Sequence, residues 1–128
     1  MKDNHVYRKL IVYTKATDFV VHVYELIKKF PKEEQYALCD QLRRAVVSVP
    51  SNIAEGMGRV SSKEKAHFVE IAFGSLMEVE SQLDVAQKLG YITNEDIAKT
   101  DEMSIELERL LSGLRTSVKN DGTEANNF

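Results

Sequence analysis

Two histidines of this chain stand three residues ahead of a glutamate, His22-x-x-Glu25 and His67-x-x-Glu70. Dimetal sites in helical bundles use the opposite order, Glu-x-x-His on two helices with one further Glu from each of the other two. At helical spacing both histidines project away from the apolar seam of their own segment, so each pair reads as a surface i,i+3 pair facing water. No metal is expected. Cys39 is the single cysteine, and no histidine stands where it would activate a thiolate nucleophile. It reads as a small, half-buried residue. A Gly-rich phosphate loop and a GxSxG elbow are both missing from the sequence. The residues therefore point to a protein that is not an enzyme and needs no cofactor.

The stretch Gln41–Arg59, QLRRAVVSVPSNIAEGMGR, is the more informative one. At 100° per residue, Leu42, Ala45, Val46, Val49, Ile53 and Met57 share one side. Gln41, Arg44, Ser48, Asn52, Glu55 and Arg59 form a narrow polar stripe beside them. The remaining face carries Val47, Pro50, Ala54 and Gly58. Glu55 is the only charge between Ala45 and Gly58. A helix without a charged outer face is usually surrounded by other helices, so this one is expected to serve both core and interface. Ser and Asn are mediocre interior helix residues. Between apolar stripes they suggest a hydrogen-bonded seam of Gln41, Ser48, Asn52 and Glu55, with Glu80 of the next helix as a partner for Arg43 or Arg44. The other reading of the stripe is a ligand or nucleic-acid surface. Arg43, Arg44, Arg59, Lys63 and Lys65 would supply its phosphate contacts, arginine through bidentate geometry.

Bulk properties limit these readings. The 128 residues are enough for one domain with a full core. Charged residues make up 29% and leave a net charge of −3, which is not the profile of a generic polyanion binder. A lone cysteine suits a reducing compartment. The opening MKDNHVYRKLIVY has no apolar h-region, and no run approaches membrane-spanning length. A cytoplasmic protein without membrane contact is expected.

Four helical periods must position these residues. The first spans about Val12–Lys29, with Ala16, Val20, Val23, Ile27 and Phe30 as a heptad seam, and stops at Phe30-Pro31. The second runs from Glu33 and Glu34, suited to its positive end, to about Gly56. Pro50 reads as a kink within it rather than a terminus; the other option is two short helices. Gly56-Met57-Gly58 ends it. Ser61 with Glu64 forms a capping box for the third helix, which continues to about Leu89. Its seam is Val69, Ala72, Leu76, Val79, Leu83 and Ala86, broadened by Phe68, Ile71 and Phe73, and Gly90 follows its end. Thr93 with Asp96 caps the fourth, which reaches about Lys119 along Leu107, Leu111, Leu114 and Val118, with Ile97 and Met103 upstream. Short loops between helices of similar length imply an all-α, antiparallel up-down-up-down four-helix bundle over residues 1–119. The polar tail 120–128 is expected to be disordered. Tyr7–Tyr13 reads as an extended arm or an early helical turn.

Three segments also resemble a known family. LIVYTKATDFVVHVYELIKKFPKEE, QLRRAVVSVPSNIAEGMGR and FVEIAFGSLMEVESQLDVAQKLGYI are similar to the bacterial four helix bundle proteins, also called 23S rRNA intervening-sequence proteins. The most specific pieces are Gln41-Leu42-Arg43-Arg44, Ser48 to Gly56, and Gly74-Ser75-Leu76. The family commonly has Trp where this chain has Tyr13. The resemblance implies a left-handed bundle assembled as a homopentameric ring without enzymatic activity. A related branch, the accessory variability protein of diversity-generating retroelements, binds nucleic acid and a reverse transcriptase through a basic surface. By that likeness the partners would be RNA, DNA or a nucleic-acid-processing protein, and Arg43, Arg44 and Arg59 the residues to test. That branch is expected to be strongly basic, and this chain is not. A protein-only scaffold, its arginines held in internal ion pairs, is the second expectation.

Overall fold

The computed structural model describes residues 5–120 and Phe128. Four helices make up the fold: α1 (Ile11–Ile27), α2 (Leu38–Met57), α3 (Ser62–Lys88) and α4 (Asn94–Asn120). No strand occurs among the described residues, and no helix there is long and apolar enough to cross a membrane. Facing pairs establish the directions. Along α1 and α4 the ties run Lys15–Glu106, His22–Thr100 and Lys29–Asp96, one number rising as the other falls. Along α2 and α3 they run Gln41–Gln82 and Ser48–Ser75, and Lys119 of α4 reaches Glu70 of α3. Each helix is antiparallel to its neighbours in sequence, and α4 closes back on α1. The result is the antiparallel four-helix bundle that the four periods predict.

The core is one cluster drawn from all four helices. Phe19, Leu42, Ile53, Leu76, Leu83, Leu107, Leu111 and Leu114 are among its largest fully buried side chains, joined by Leu10 from just before α1. On α1 the buried face is Val12, Ala16, Phe19, Val23, Leu26 and Ile27. It is rotated from the expected seam, so that Phe19 and Leu26 enter the core while Val20 is only half-buried. Pro50 lies inside an unbroken α2 and is buried. The continuous-helix reading is therefore the observed one, and the Val46 carbonyl loses the donor that any other residue at position 50 would supply.

Helix ends follow their chemistry. Ser61 Oγ accepts from the Glu64 N–H at 3.1 Å. Thr93 and Asp96 cap α4 reciprocally, each side chain accepting from the other's backbone N–H at 3.0 Å. After α3, Gly90 takes φ +82°, the Tyr91 N–H returns to the Ala86 carbonyl and the Gly90 N–H to that of Gln87. These two bonds form a Schellman close, and the positive φ explains the glycine.

The start of the second helix differs from the periodic reading. The second helix starts at Leu38, not Glu33. Lys32–Glu34 form a 3-10 turn with no buried residue, and a helix without an apolar face to pack has little to hold it. Glu34 instead accepts a hydrogen bond from the Tyr91 hydroxyl at 2.7 Å, tying this turn to the α3–α4 loop. At the start of the chain Val6–Lys9 form a 3-10 turn, the early turn rather than the extended arm. The expected disordered tail falls on residues 121–127, which lie outside the described residues. α4 itself includes Asn120, and Phe128 packs against the core.

Candidate functional site

The polar stripe of α2 divides between two environments. On the α3 side, the Ser48 and Ser75 hydroxyls are 2.8 Å apart. Asn52 Nδ2 donates to both the carbonyl and the hydroxyl of Ser48 at 2.8 Å. Gln82 donates to Gln41 and Glu78 at the more exposed end. Glu55 leaves this seam and forms an exposed pair with Arg59 at 2.7 Å. Ser75 and Gln82, both on α3, lie outside the seam expected from the α2 stripe. Ser75 lies beside Leu76 of the apolar seam, so its role depends on which helix faces it.

Glu80 is elsewhere, and this corrects the expected Arg43 or Arg44 contact. Arg44 pairs with Asp40 at 3.3 Å, while Arg43 reaches the Gln35 carbonyl at 3.4 Å and lies 4.0 Å from Asp40. Both arginines find their partners at the start of α2 or just before it. Glu80 occupies the α3–α4 side, where burial and the carboxylates of Glu108, Asp101 and Asp84 push its pKa up to about 7. Its Oε2 is buried without a hydrogen-bond partner, an arrangement that a proton shared with Glu108 would satisfy.

The five basic residues do not form one patch. Arg43 and Arg44 stand at the start of α2, Arg59 beyond its end, and the helical rise alone separates them by about 20 Å. Arg59 covers the Phe68 ring at 4.7 Å, and Lys65 donates to the Met57 carbonyl at 3.2 Å, helping to close α2. Lys63 has no ion pair among the described residues. It lines an open pocket of about 540 Å³ with Ser62, His67, Glu70 and Lys119. His67 and Lys119 are thus basic neighbours that inspection of the α2 stripe missed, since Lys119 arrives from the far end of the chain.

A groove of about 920 Å³ opens between α1 and α2, largely apolar but with Glu55 and Arg59 at its rim. Tyr13, Val20 and Val21 line one wall, Val47, Pro50 and Ala54 the other. Val21 is 63% exposed and Val47 39%. The small-residue face of α2 noted in the sequence is this wall. Within one chain it remains uncovered, so α2 is enclosed on two sides and open on the third.

The remaining candidates show no catalytic geometry. His22 does not face water as its spacing suggested. It lies i+3 from Phe19 and i−4 from Leu26, at the edge of the rotated core face, and its Nε2 is 2.8 Å from Thr100 Oγ1. Burial lowers its pKa, and Lys99 lowers it further. Cys39 is buried more fully than expected, and burial pushes its thiol pKa up, away from a reactive thiolate. No group of three or more His, Cys, Asp or Glu suited to a metal ion occurs among the described residues.

A family model described as 23S rRNA-intervening sequence protein matches residues 8–113. The chain belongs to that family. Among solved structures, a protein of unknown function from the S23 ribosomal protein family of Bacteroides thetaiotaomicron has the same fold, with a TM-score of 0.76 and 24% identity. The likeness covers 82% of this chain and 98% of that one. No curated protein matches the chain. For this intervening-sequence protein the family assignment thus agrees with the architecture, and the matched region spans the whole α1–α2 groove and the Ser48–Ser75 seam.

Proposed function

We propose that this intervening-sequence family protein is a non-catalytic scaffold that assembles with copies of itself through the α1–α2 groove. The observation that carries this reading is the open groove in which Val21 and Val47 are exposed above half-buried Ala54 and buried Pro50. Its small side chains allow a neighbouring helix to approach closely, and water is a poor occupant for it. The family resemblance suggests five copies in a ring. The ion pairs of Arg44 with Asp40 and of Arg59 with Glu55 fit a scaffold that recognises protein. Mass measurement in solution at micromolar concentration tests the assembly. The native chain is expected as a multiple of its 14.5 kDa mass, and Val47→Glu as a helical monomer. A native chain that runs as a monomer sinks the proposal.

A second reading is kept because one observation favours it. Lys63, His67 and Lys119 line one open pocket together with Glu70, which pairs with Lys119, so an RNA or DNA strand, or a nucleoprotein partner, would find its phosphate contacts at that end. Repetition of the cluster around a ring would multiply its field despite the net charge of −3.

A further inference from the structure

α1 begins with little help from its own sequence. Leu10 stands at its N-cap, no side chain caps it, and its first turn contains no acidic residue. The other long helices opened by a polar cap, α3 and α4, have side-chain acceptors at their starts, and open N–H groups at a helix start need acceptors. For α1 one acceptor comes from far along the chain, because the Val12 N–H donates to a main-chain oxygen of Phe128.

The Phe128 side chain has a seat of its own. Its ring lies over Gly113 in the middle of α4, where a Cβ would overlap the ring. Gly113 does not have a positive φ, so its backbone does not require glycine, and glycine is among the least favourable residues inside a helix. With glycine there, the Phe128 ring occupies the space that a Cβ would take. The ties between α1 and α4 named above begin at Lys15–Glu106 and run away from this end. Phe128 joins the two helices beyond them.

We infer that Phe128 acts as a strap across the α1–α4 seam, its main-chain oxygen capping α1 at Val12 and its ring filling the notch left by Gly113. The contact is independent of the α1–α2 groove, so failure of either proposal leaves the other standing.

The test uses the full chain, equilibrium unfolding and amide hydrogen exchange. In Phe128→Ala, exchange at the Val12 amide is expected to accelerate at least tenfold. Gly113→Ala should strengthen folding by about fivefold in the Phe128→Ala background, the ordinary helix-propensity gain, but give no gain when Phe128 is present. Gly74 is the control, since nothing lies within 4 Å of a Cβ there. Gly74→Ala should give the same gain in both backgrounds. An unchanged Val12 exchange rate in Phe128→Ala overturns the cap, and an equal gain from Gly113→Ala in both backgrounds overturns the seat; either result defeats the strap.

Discussion

Glu80 illustrates how a single side chain couples the bundle to pH. Its carboxyl is pushed from an ordinary 4.5 to about 7 by burial, with Glu108, Asp101 and Asp84 adding to the shift. A raised folded pKa means that the fold prefers the protonated form. The associated stability is fully present below about pH 4.5 and is lost as pH rises toward 7. Glu80→Gln keeps the shape and removes the charge. Allowing for solvent screening, it is expected to stabilise the bundle by roughly 1–2 kcal/mol at pH 8 and to flatten the dependence between pH 5 and 7. Denaturant titrations at pH 5, 6, 7 and 8 check this, and parallel pH profiles for the two proteins would contradict it. The presence of a polar residue at position 80 was visible in the sequence, but its partner was not. Arg43 and Arg44 are nearer along the helical pattern, yet Arg44 pairs with Asp40 and Arg43 reaches the Gln35 carbonyl, leaving Glu80 among the carboxylates of Glu108, Asp101 and Asp84.

At the level of elements, the caps were legible because capping is local. Ser61 with Glu64 and Thr93 with Asp96 lie three residues apart, and their hydrogen bonds need nothing beyond the helix start. Helix facing was less legible. The seam of α1 turned so that Phe19 and Leu26 are buried, carrying His22 into contact with Thr100, because a heptad template cannot say which flank meets a neighbour. The approach of α2 to α3 is likewise a packing fact. A Cβ at Gly56 would stand 3.0 Å from the Phe68 Cβ and 3.2 Å from the Lys65 carbonyl oxygen. Backbone cannot yield as a flexible side chain can, so Gly56→Ala gains about 1 kcal/mol in helix propensity and loses about 1–3 kcal/mol to overpacking. A net loss of about 1 kcal/mol is expected in the unfolding free energy. A stabilised variant would mean that the two helices can part at no cost.

For the whole molecule, the distribution of charge decides where a polyanion would bind. The five basic residues chosen from the sequence fall at two ends of α2, and only Arg59, Lys63 and Lys65 share an end with His67 and Lys119. If RNA binds through phosphates there, a Lys63→Ala/Lys65→Ala variant should weaken binding and flatten the slope of log affinity against log salt by about 1–2. Arg43→Ala/Arg44→Ala should change neither. Equal effects from both ends would indicate that the strand spans the molecule, and absence of binding at low salt would leave the protein scaffold as the sole reading. The groove follows the same logic. Val47, Pro50, Ala54 and Gly58 read as an uncharged face in the sequence, but only the fold shows that α1 supplies its second wall and leaves it open.

By itself the sequence determined the number of helices, the caps of α3 and α4, the continuity of α2 through Pro50 and the all-α bundle, since periodicity and capping act over one to four residues. The tertiary structure alone decided which polar groups meet across helices: Ser48 with Ser75, His22 with Thr100, Glu80 with Glu108 rather than an arginine. Those meetings depend on helix rotation and axial register. Both are set by the summed packing of the whole core, which no single segment encodes.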